Sequence, residues 1–201
     1  SGPDSDFHAN WIFKSPMETE ENTTVDVSAA QDGGVVAWTN VVTYRGTTEV
    51  YCYISTQRKG VKAIANEDSS YMFFDKKNLK RVDFTSLDTS LVENMNSMVA
   101  MSSPGQSNLE TFTFENFDSS SVTNMSGVFK NQTSLVSVDV SMLRTENVTE
   151  MNEFFYNCYE IKELDLSNFN TNKVKQNVDM FSDCRKYRPP QTGRPEAADC
   201  S

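Results

Sequence analysis

The stretch from Leu135 to Phe155, LVSVDVSMLRTENVTEMNEFF, decides the fold because its apolar spacing recurs on both sides of it. The same frame begins at Leu109 and again at Ile161, at equal intervals before and after Leu135. An earlier copy begins at Leu79, and an insertion at 101–105 lengthens the interval that separates it from Leu109. In all four copies a Val follows the first apolar residue at the same distance; these are Val92, Val122, Val148 and Val174. The chain therefore uses one structural unit four times.

Each unit changes its apolar period halfway along. In the unit that begins at Leu135, Val138 and Val140 alternate with a polar residue, which is the period of a β-strand. The later apolar residues share one face of a helical turn; they are Val148, Met151, Phe154 and Phe155. A hydroxyl side chain precedes each such stretch, where it can cap a helix; these are Thr89, Ser119, Thr145 and Thr171. The sequence predicts strand, turn, short helix and turn, four times over.

A period in the twenties is typical of leucine-rich-repeat solenoids, whose units bury their apolar faces only by stacking on one another. The predicted fold class is an α/β repeat solenoid, a right-handed stack of short parallel strands and short helices. Residues 61–184 would form it, with a partial unit before Leu79. Residues 1–60 are predicted to cap the first unit with a β-hairpin, because strand-forming runs flank Arg45-Gly46. Residues 185–201 are predicted to be an irregular tail.

Several strings within the repeat resemble a known family. LDLSNFNTNKV at 164–174, FDSSSVTNMSGVF at 117–129 and FYNC at 155–158 are similar to the repeat of the BspA-like leucine-rich-repeat surface proteins of bacteria. The resemblance covers about residues 61–184. It implies an extracellular protein, at the cell surface or associated with the cell wall, that contacts host extracellular-matrix proteins or other cell-surface proteins.

Two cysteines, Cys158 and Cys184, occupy equivalent positions in neighbouring units. Adjacent strands lie about 4.8 Å apart, which is compatible with a disulfide bond between them. The family resemblance implies instead that both are buried, reduced core residues. The sequence leaves both alternatives open.

The outward strand face is the most informative surface of the predicted fold. If Val82 and Phe84 point inward, the residues between and beside them point outward, and the same holds in the later units. The candidate binding residues on this face are Arg81, Asp83, Thr113, Glu115, Asp139, Glu163 and Asp165. Its carboxylates suit a partner with a basic patch or a cation such as Ca²⁺. The alternative is that polar residues only keep an open sheet soluble.

Composition excludes several classes of function. A net charge of −10 argues against nucleic-acid binding. No apolar run is long enough to span a membrane. His8 is the only histidine and has no identifiable catalytic partners, and no phosphate-binding or zinc-binding motif occurs. We therefore expect no enzyme activity, no cofactor and no metal site.

Four Asn-x-Ser/Thr sequons, at Asn22, Asn124, Asn131 and Asn147, would allow glycosylation in a eukaryotic secretory host. Asn124 belongs to the repeat's own frame, so packing and turn chemistry also explain it. Both explanations stay open.

The sequence favours a non-catalytic adhesion or protein-interaction module of a bacterial cell-surface protein, in which the strand face contacts the partner. The second hypothesis is a structural spacer or capping module of a longer surface protein or fibre, with no ligand of its own.

Overall fold

The computed structural model describes residues 9–13, 25–26, 36–55 and 61–187. The strands of the N-terminal part are β1 (Ala9–Phe13), β2 (Val25–Asp26), β3 (Val36–Tyr44) and β4 (Thr47–Ser55). Those of the repeat are β5 (Ala63–Ile64), β6 (Leu79–Val82), β7 (Leu87–Asp88), β8 (Thr111–Thr113) and β9 (Ser137–Asp139). The predicted tail at 185–201 lies outside the described residues from 188 onward, as does His8.

The N-terminal strands form an antiparallel sheet that runs directly into the repeat. Its order is β2-β3-β4-β1-β6. The hairpin expected around Arg45-Gly46 is present, with Tyr44 paired to Thr47. Both turn residues have positive φ, 51° and 80°, which matches the twist of a two-residue hairpin turn. However, the hairpin does not itself contact the first repeat strand, since β1 lies between β4 and β6.

Consecutive units of the repeat pair in parallel and in register. We number them as a partial unit (61–78) and units 1 (79–108), 2 (109–134), 3 (135–160) and 4 (161–187). β8 of unit 2 pairs with β9 of unit 3, and β5 of the partial unit pairs with β7 of unit 1. Parallel bridges also link Asp68, Asn94, Asn124, Glu150 and Gln176 in succession. The intervals at which the sequence repeats are therefore the intervals of backbone pairing.

The second half of each unit is a series of turns, so the predicted short helices are wrong. No helix occurs within the described ranges. In unit 2, alternate N–H groups point at unit 3 and cannot make the bonds of an α-helix. Met125, Gly127, Phe129 and Asn131 donate to the carbonyls of Glu150, Asn152, Phe154 and Tyr156 at 2.7 to 2.9 Å. The apolar face was predicted correctly, since Val122, Met125, Val128 and Phe129 are fully buried.

The hydroxyl residues predicted as helix caps instead join one unit to the next. Thr145 Oγ1 accepts a hydrogen bond from the N–H of Asn170 at 2.7 Å and donates to the carbonyl of the same residue at 3.2 Å. Ser119 makes the same pair of bonds to Arg144, and Thr89 to Asp118. We call this arrangement the hydroxyl clip. It satisfies both backbone polar groups of one residue in the following unit.

A column of aromatic rings runs through the core of the repeat. Phe155 stacks on Phe129 with ring centroids 5.5 Å apart and on Phe181 at 5.7 Å. Phe84 stacks on Phe114 at 6.4 Å. All of these rings are almost completely buried, so each unit contributes apolar surface that its neighbours cover.

Cys158 and Cys184 are reduced thiols buried beside this column, which agrees with the second alternative. The Cys158 thiol donates to the carbonyl of Phe129 at 3.2 Å, and the Cys184 thiol donates to the carbonyl of Phe155 at 3.1 Å. Burial raises the pKa of Cys158 well above its ordinary value, and the neighbouring Cys184 adds to the effect.

We expect the change Phe129→Ala to lower the free energy of unfolding by about 3–5 kcal/mol, because it leaves a cavity between two units. Phe129 is fully buried and contacts the rings of Phe154 and Phe155. Urea unfolding measures the loss. The control is Tyr156→Ala at a half-buried position of the same turn series, where a loss of about 1 kcal/mol or less is expected. Equal losses in both variants would contradict the stacked core.

Candidate functional site

A groove of about 370 Å³ opens on the outward strand face where β6 meets β8. The two strands are neighbours, but β6 belongs to the N-terminal sheet and β8 pairs with β9. The residues that line the groove are Lys80, Arg81, Val82, Thr111, Phe112, Thr113, Ser137 and Asp139. We call it the strand-face groove.

Strand alternation explains how the groove forms. Val82, Phe112 and Val138 are buried, as the predicted in-and-out pattern requires. The short side chains of Thr111 and Ser137, paired across β8 and β9, therefore project outward. The longer side chains of Lys80 and Arg81 border them on the β6 side, so the surface beside these two residues is depressed.

Three of the seven predicted binding residues line the groove: Arg81, Thr113 and Asp139. The other four share the repeat's strand frame but are not among its lining residues; they are Asp83, Glu115, Glu163 and Asp165. Glu163 continues the sheet, since it bridges to Ser137. The predicted face is thus divided into a groove and a flanking row of acids.

Sequence reasoning missed Lys80. Strict alternation from the inward Val82 places Lys80 inward as well. In β6, however, both Lys80 and Arg81 are exposed between two buried residues. An unpaired Lys is almost never fully buried, and this was the available signal. As a result the groove carries two cations and one carboxylate, which differs from the acidic face that the sequence suggested.

The aspartates of the strand face have a local structural role. The carboxylates of Asp83, Asp139 and Asp165 each accept a hydrogen bond from the backbone N–H two residues later, at 2.9 to 3.0 Å. Such bonds stabilise the turn that follows the strand. Hydrogen bonds from Ser141 lower the pKa of Asp139, and those from Ser167 lower the pKa of Asp165. Both carboxylates are therefore ionised at neutral pH.

No group of three or more His, Cys, Asp or Glu side chains that could hold a metal ion occurs in the described part of the chain. Nor does any helix in those ranges have the length and apolar character to cross a membrane.

Three of the four sequons carry amides that the fold already uses. Asn131 is 5% exposed and donates to the carbonyl of Met101 at 2.8 Å. Asn124 donates to Glu150, and Asn147 donates to the carbonyl of Ser120. Asn22 lies outside the described ranges. Packing therefore accounts for the three described sequons without sugar.

Fold and site together define a chain of in-register repeat units with a polar groove on one face. The family described as "Mycoplasma protein of unknown function, DUF285" matches residues 105–193. This range covers units 2 to 4 and is consistent with the resemblance to BspA-like surface proteins. Comparison with curated proteins gave no match, and comparison with solved structures also gave none.

We expect Asp139→Ala to destabilise the fold slightly, by less than about 1 kcal/mol because the carboxylate is exposed and screened. Asp139→Asn should cost less, since its amide oxygen can still accept from the Ser141 N–H. The folded-state pKa of Asp139 is lowered, so the stability it adds is present above its unfolded-state pKa and is lost as pH falls through the folded value. Urea unfolding of wild type and Asp139→Ala should therefore differ at pH 7 and converge in strong acid, below the folded-state pKa. A difference that grows in acid would contradict this role.

Proposed function

We propose that this chain is a non-catalytic protein-interaction module and that its partner binds in the strand-face groove. The observation that carries the proposal is the pair of exposed cations beside a depression lined by hydroxyl groups. No ion pair of Lys80 or Arg81 occurs among the described residues. Lys80 makes one long hydrogen bond, 3.4 Å, to the carbonyl of Asn108. Both charges are therefore available to a partner.

The proposed architecture is a right-handed repeat solenoid of leucine-rich-repeat type, built from short strands and turns. Parallel bridges that link every consecutive pair of units support it, as does the apolar core shared by all units. A solenoid presents one extended face, which suits display of a binding site.

The charge pattern of the groove favours a protein partner. Lys80 and Arg81 can bind carboxylates, while Asp139 and the Thr and Ser hydroxyls can bind donors. Protein surfaces offer both kinds of group within a short distance. A polyanion such as nucleic acid would meet a chain with a net charge of −10.

We further propose an extracellular location, at the surface or wall of a bacterial cell, and a role in adhesion. The resemblance to BspA-like surface proteins supports this, and the family match over residues 105–193 is consistent with it. The partner would be a host extracellular-matrix protein or another cell-surface protein.

A second candidate is a spacer that binds nothing. It is favoured by the turn-stabilising bonds of Asp83, Asp139 and Asp165, because these bonds explain the acidic residues without a ligand. The cations of the groove have no such explanation, and on that ground we place the spacer second.

The test is binding of the purified chain to a panel of matrix and cell-surface proteins by surface plasmon resonance. We expect the double change Lys80→Glu and Arg81→Glu to weaken binding by about tenfold or more, since rim and groove charges of this kind contribute on the order of 1 kcal/mol each. The matched control is Lys162→Glu with Lys175→Glu, which reverses two exposed cations that do not line the groove.

Equal weakening by both double variants would reduce the effect to net charge and contradict the groove as the site. Absence of binding to the whole panel by the folded wild type would favour the spacer.

A further inference from the structure

Along the turn series in the second half of each unit, alternate N–H groups donate to the next unit. Bonds in the opposite direction occur just before this series, as from the N–H of Thr149 to the carbonyl of Thr123. In unit 3, Met151, Glu153, Phe155 and Asn157 donate to the carbonyls of Gln176, Val178, Met180 and Ser182 in unit 4 at 2.7 to 3.0 Å. Unit 1 donates to unit 2, and unit 2 to unit 3, at the equivalent positions. Within this turn series, each unit therefore accepts hydrogen bonds from the unit before it and donates to the unit after it.

Unit 4 repeats the donor row, but no described residue accepts a hydrogen bond from it. The equivalent N–H groups are those of Asn177, Asp179, Phe181 and Asp183, and none makes a hydrogen bond to the part of the chain that the structure describes. Four donors at alternate residues form an open row of backbone N–H groups. In the preceding units such a row pairs with a backbone that follows the same series of turns.

No residue between 61 and 187 occupies the hydroxyl clip of unit 4 either. Thr89, Ser119 and Thr145 each hold both backbone polar groups of one residue in the next unit. Thr171 is the equivalent residue of unit 4 and is half-buried. Its hydroxyl has no hydrogen-bond partner within the described ranges. It is therefore positioned to bind one further residue of extended chain, through that residue's N–H and carbonyl.

Several apolar side chains at this end are incompletely covered, although Phe181 is buried beneath Tyr187. Val138, Val140, Leu143 and Val148 of unit 3 are buried, whereas their equivalents Leu164, Leu166, Phe169 and Val174 are only partly buried. Val178 is apolar and 66% exposed, at a position where units 2 and 3 have the polar residues Ser126 and Asn152. Backbone donors, an empty clip and apolar surface therefore coincide on one end of the repeat.

We propose that this C-terminal edge docks a segment of a protein partner that adopts the turn series of the repeat, runs parallel to unit 4 and carries its apolar spacing. The three preceding interfaces define what fits: carbonyls at alternate residues opposite the four donors, one backbone residue in the clip of Thr171, and apolar side chains over Leu164 and Phe169. This site lies apart from the strand-face groove and does not depend on it.

A second copy of the chain fits this edge poorly. In each copy β1 pairs with β6, and β4 and β3 follow beyond it. These strands take the positions that the strands of units 4 and 3 of a preceding molecule would need. Head-to-tail stacking of copies would therefore bring the N-terminal sheet of one into the strands of the other, and we assign the edge to a partner segment instead.

The test uses a fluorescent peptide with the sequence of residues 135–157, whose Glu150, Asn152, Phe154 and Tyr156 carbonyls meet this pattern in unit 3. Titrated with the full chain, its anisotropy should show saturable binding below about 1 mM. The change Thr171→Val should weaken binding by about tenfold, which corresponds to two modest hydrogen bonds. It should leave the Tm unchanged, because the hydroxyl makes no bond within the described fold.

The matched control is Thr145→Val, which removes a filled clip and should lower the Tm while leaving the peptide affinity unchanged at a temperature where the variant is folded. A peptide with Asp at the positions of Val148, Met151 and Phe154 should not bind.

Three outcomes would overturn the proposal: no binding of the repeat peptide to folded wild type, equal binding to wild type and Thr171→Val, or equal binding of the Asp-substituted peptide. Self-association of the chain that blocks the peptide, seen by light scattering, would also overturn it and assign the edge to a second copy.

Discussion

The repeat depends on one backbone constraint, which is that alternate N–H groups of each unit bond to carbonyls of the next. In unit 2 these donors include Met125, Gly127 and Phe129. A chain can direct alternate N–H groups sideways only if its backbone turns between them, and Gly127 does so with φ at 62°. The same left-handed geometry returns at Ser97 and Glu153, at the equivalent positions of units 1 and 3. Gly127 adopts this geometry without strain, whereas Ser97 and Glu153 are strained locally and are compensated by the bonds to their neighbours.

This constraint explains why part of the fold could be predicted and part could not. The repeat interval and the inward face of each unit could be predicted from the apolar spacing. Apolar residues at the positions of Val122, Met125 and Phe129 recur in units 1 and 3. The predicted short helix was wrong because the same apolar spacing fits both one face of a helix and a series of turns. What separates them is a residue with positive φ, which a helix interior excludes. Only unit 2 has a glycine at this positive-φ position, Gly127. Asparagine occupies a second positive-φ position, at Asn131 and Asn157, and was the available sequence signal for turns.

The candidate site was predictable to a similar degree. Alternation along the strands identified Arg81, Thr113 and Asp139, which line the groove. It failed at Lys80, where β6 departs from a period of two. That departure occurs in the strand that pairs with β1, a contact between segments that lie far apart in the sequence. Local patterns carry no information about such a pairing. Composition predicts that the acids are ligands, yet the carboxylates of Asp83 and Asp165 stabilise turns, a role that depends on backbone geometry.

The two ends of the repeat differ in whether their backbone hydrogen-bonding groups are paired. At the first unit, β1 supplies a strand to the edge of β6, so the sheet continues into the N-terminal part. At unit 4, Asn177 and Phe181 present donors with no acceptor in the described chain. Hydrogen exchange of single amides, followed by NMR, tests this account most directly. It predicts strong protection at Gly127, Phe129 and their equivalents in units 1 and 3, together with fast exchange at Asn177 and Asp179, whose equivalents in unit 3 are protected. Equal protection of the donor rows of units 3 and 4, or fast exchange in both, would contradict it.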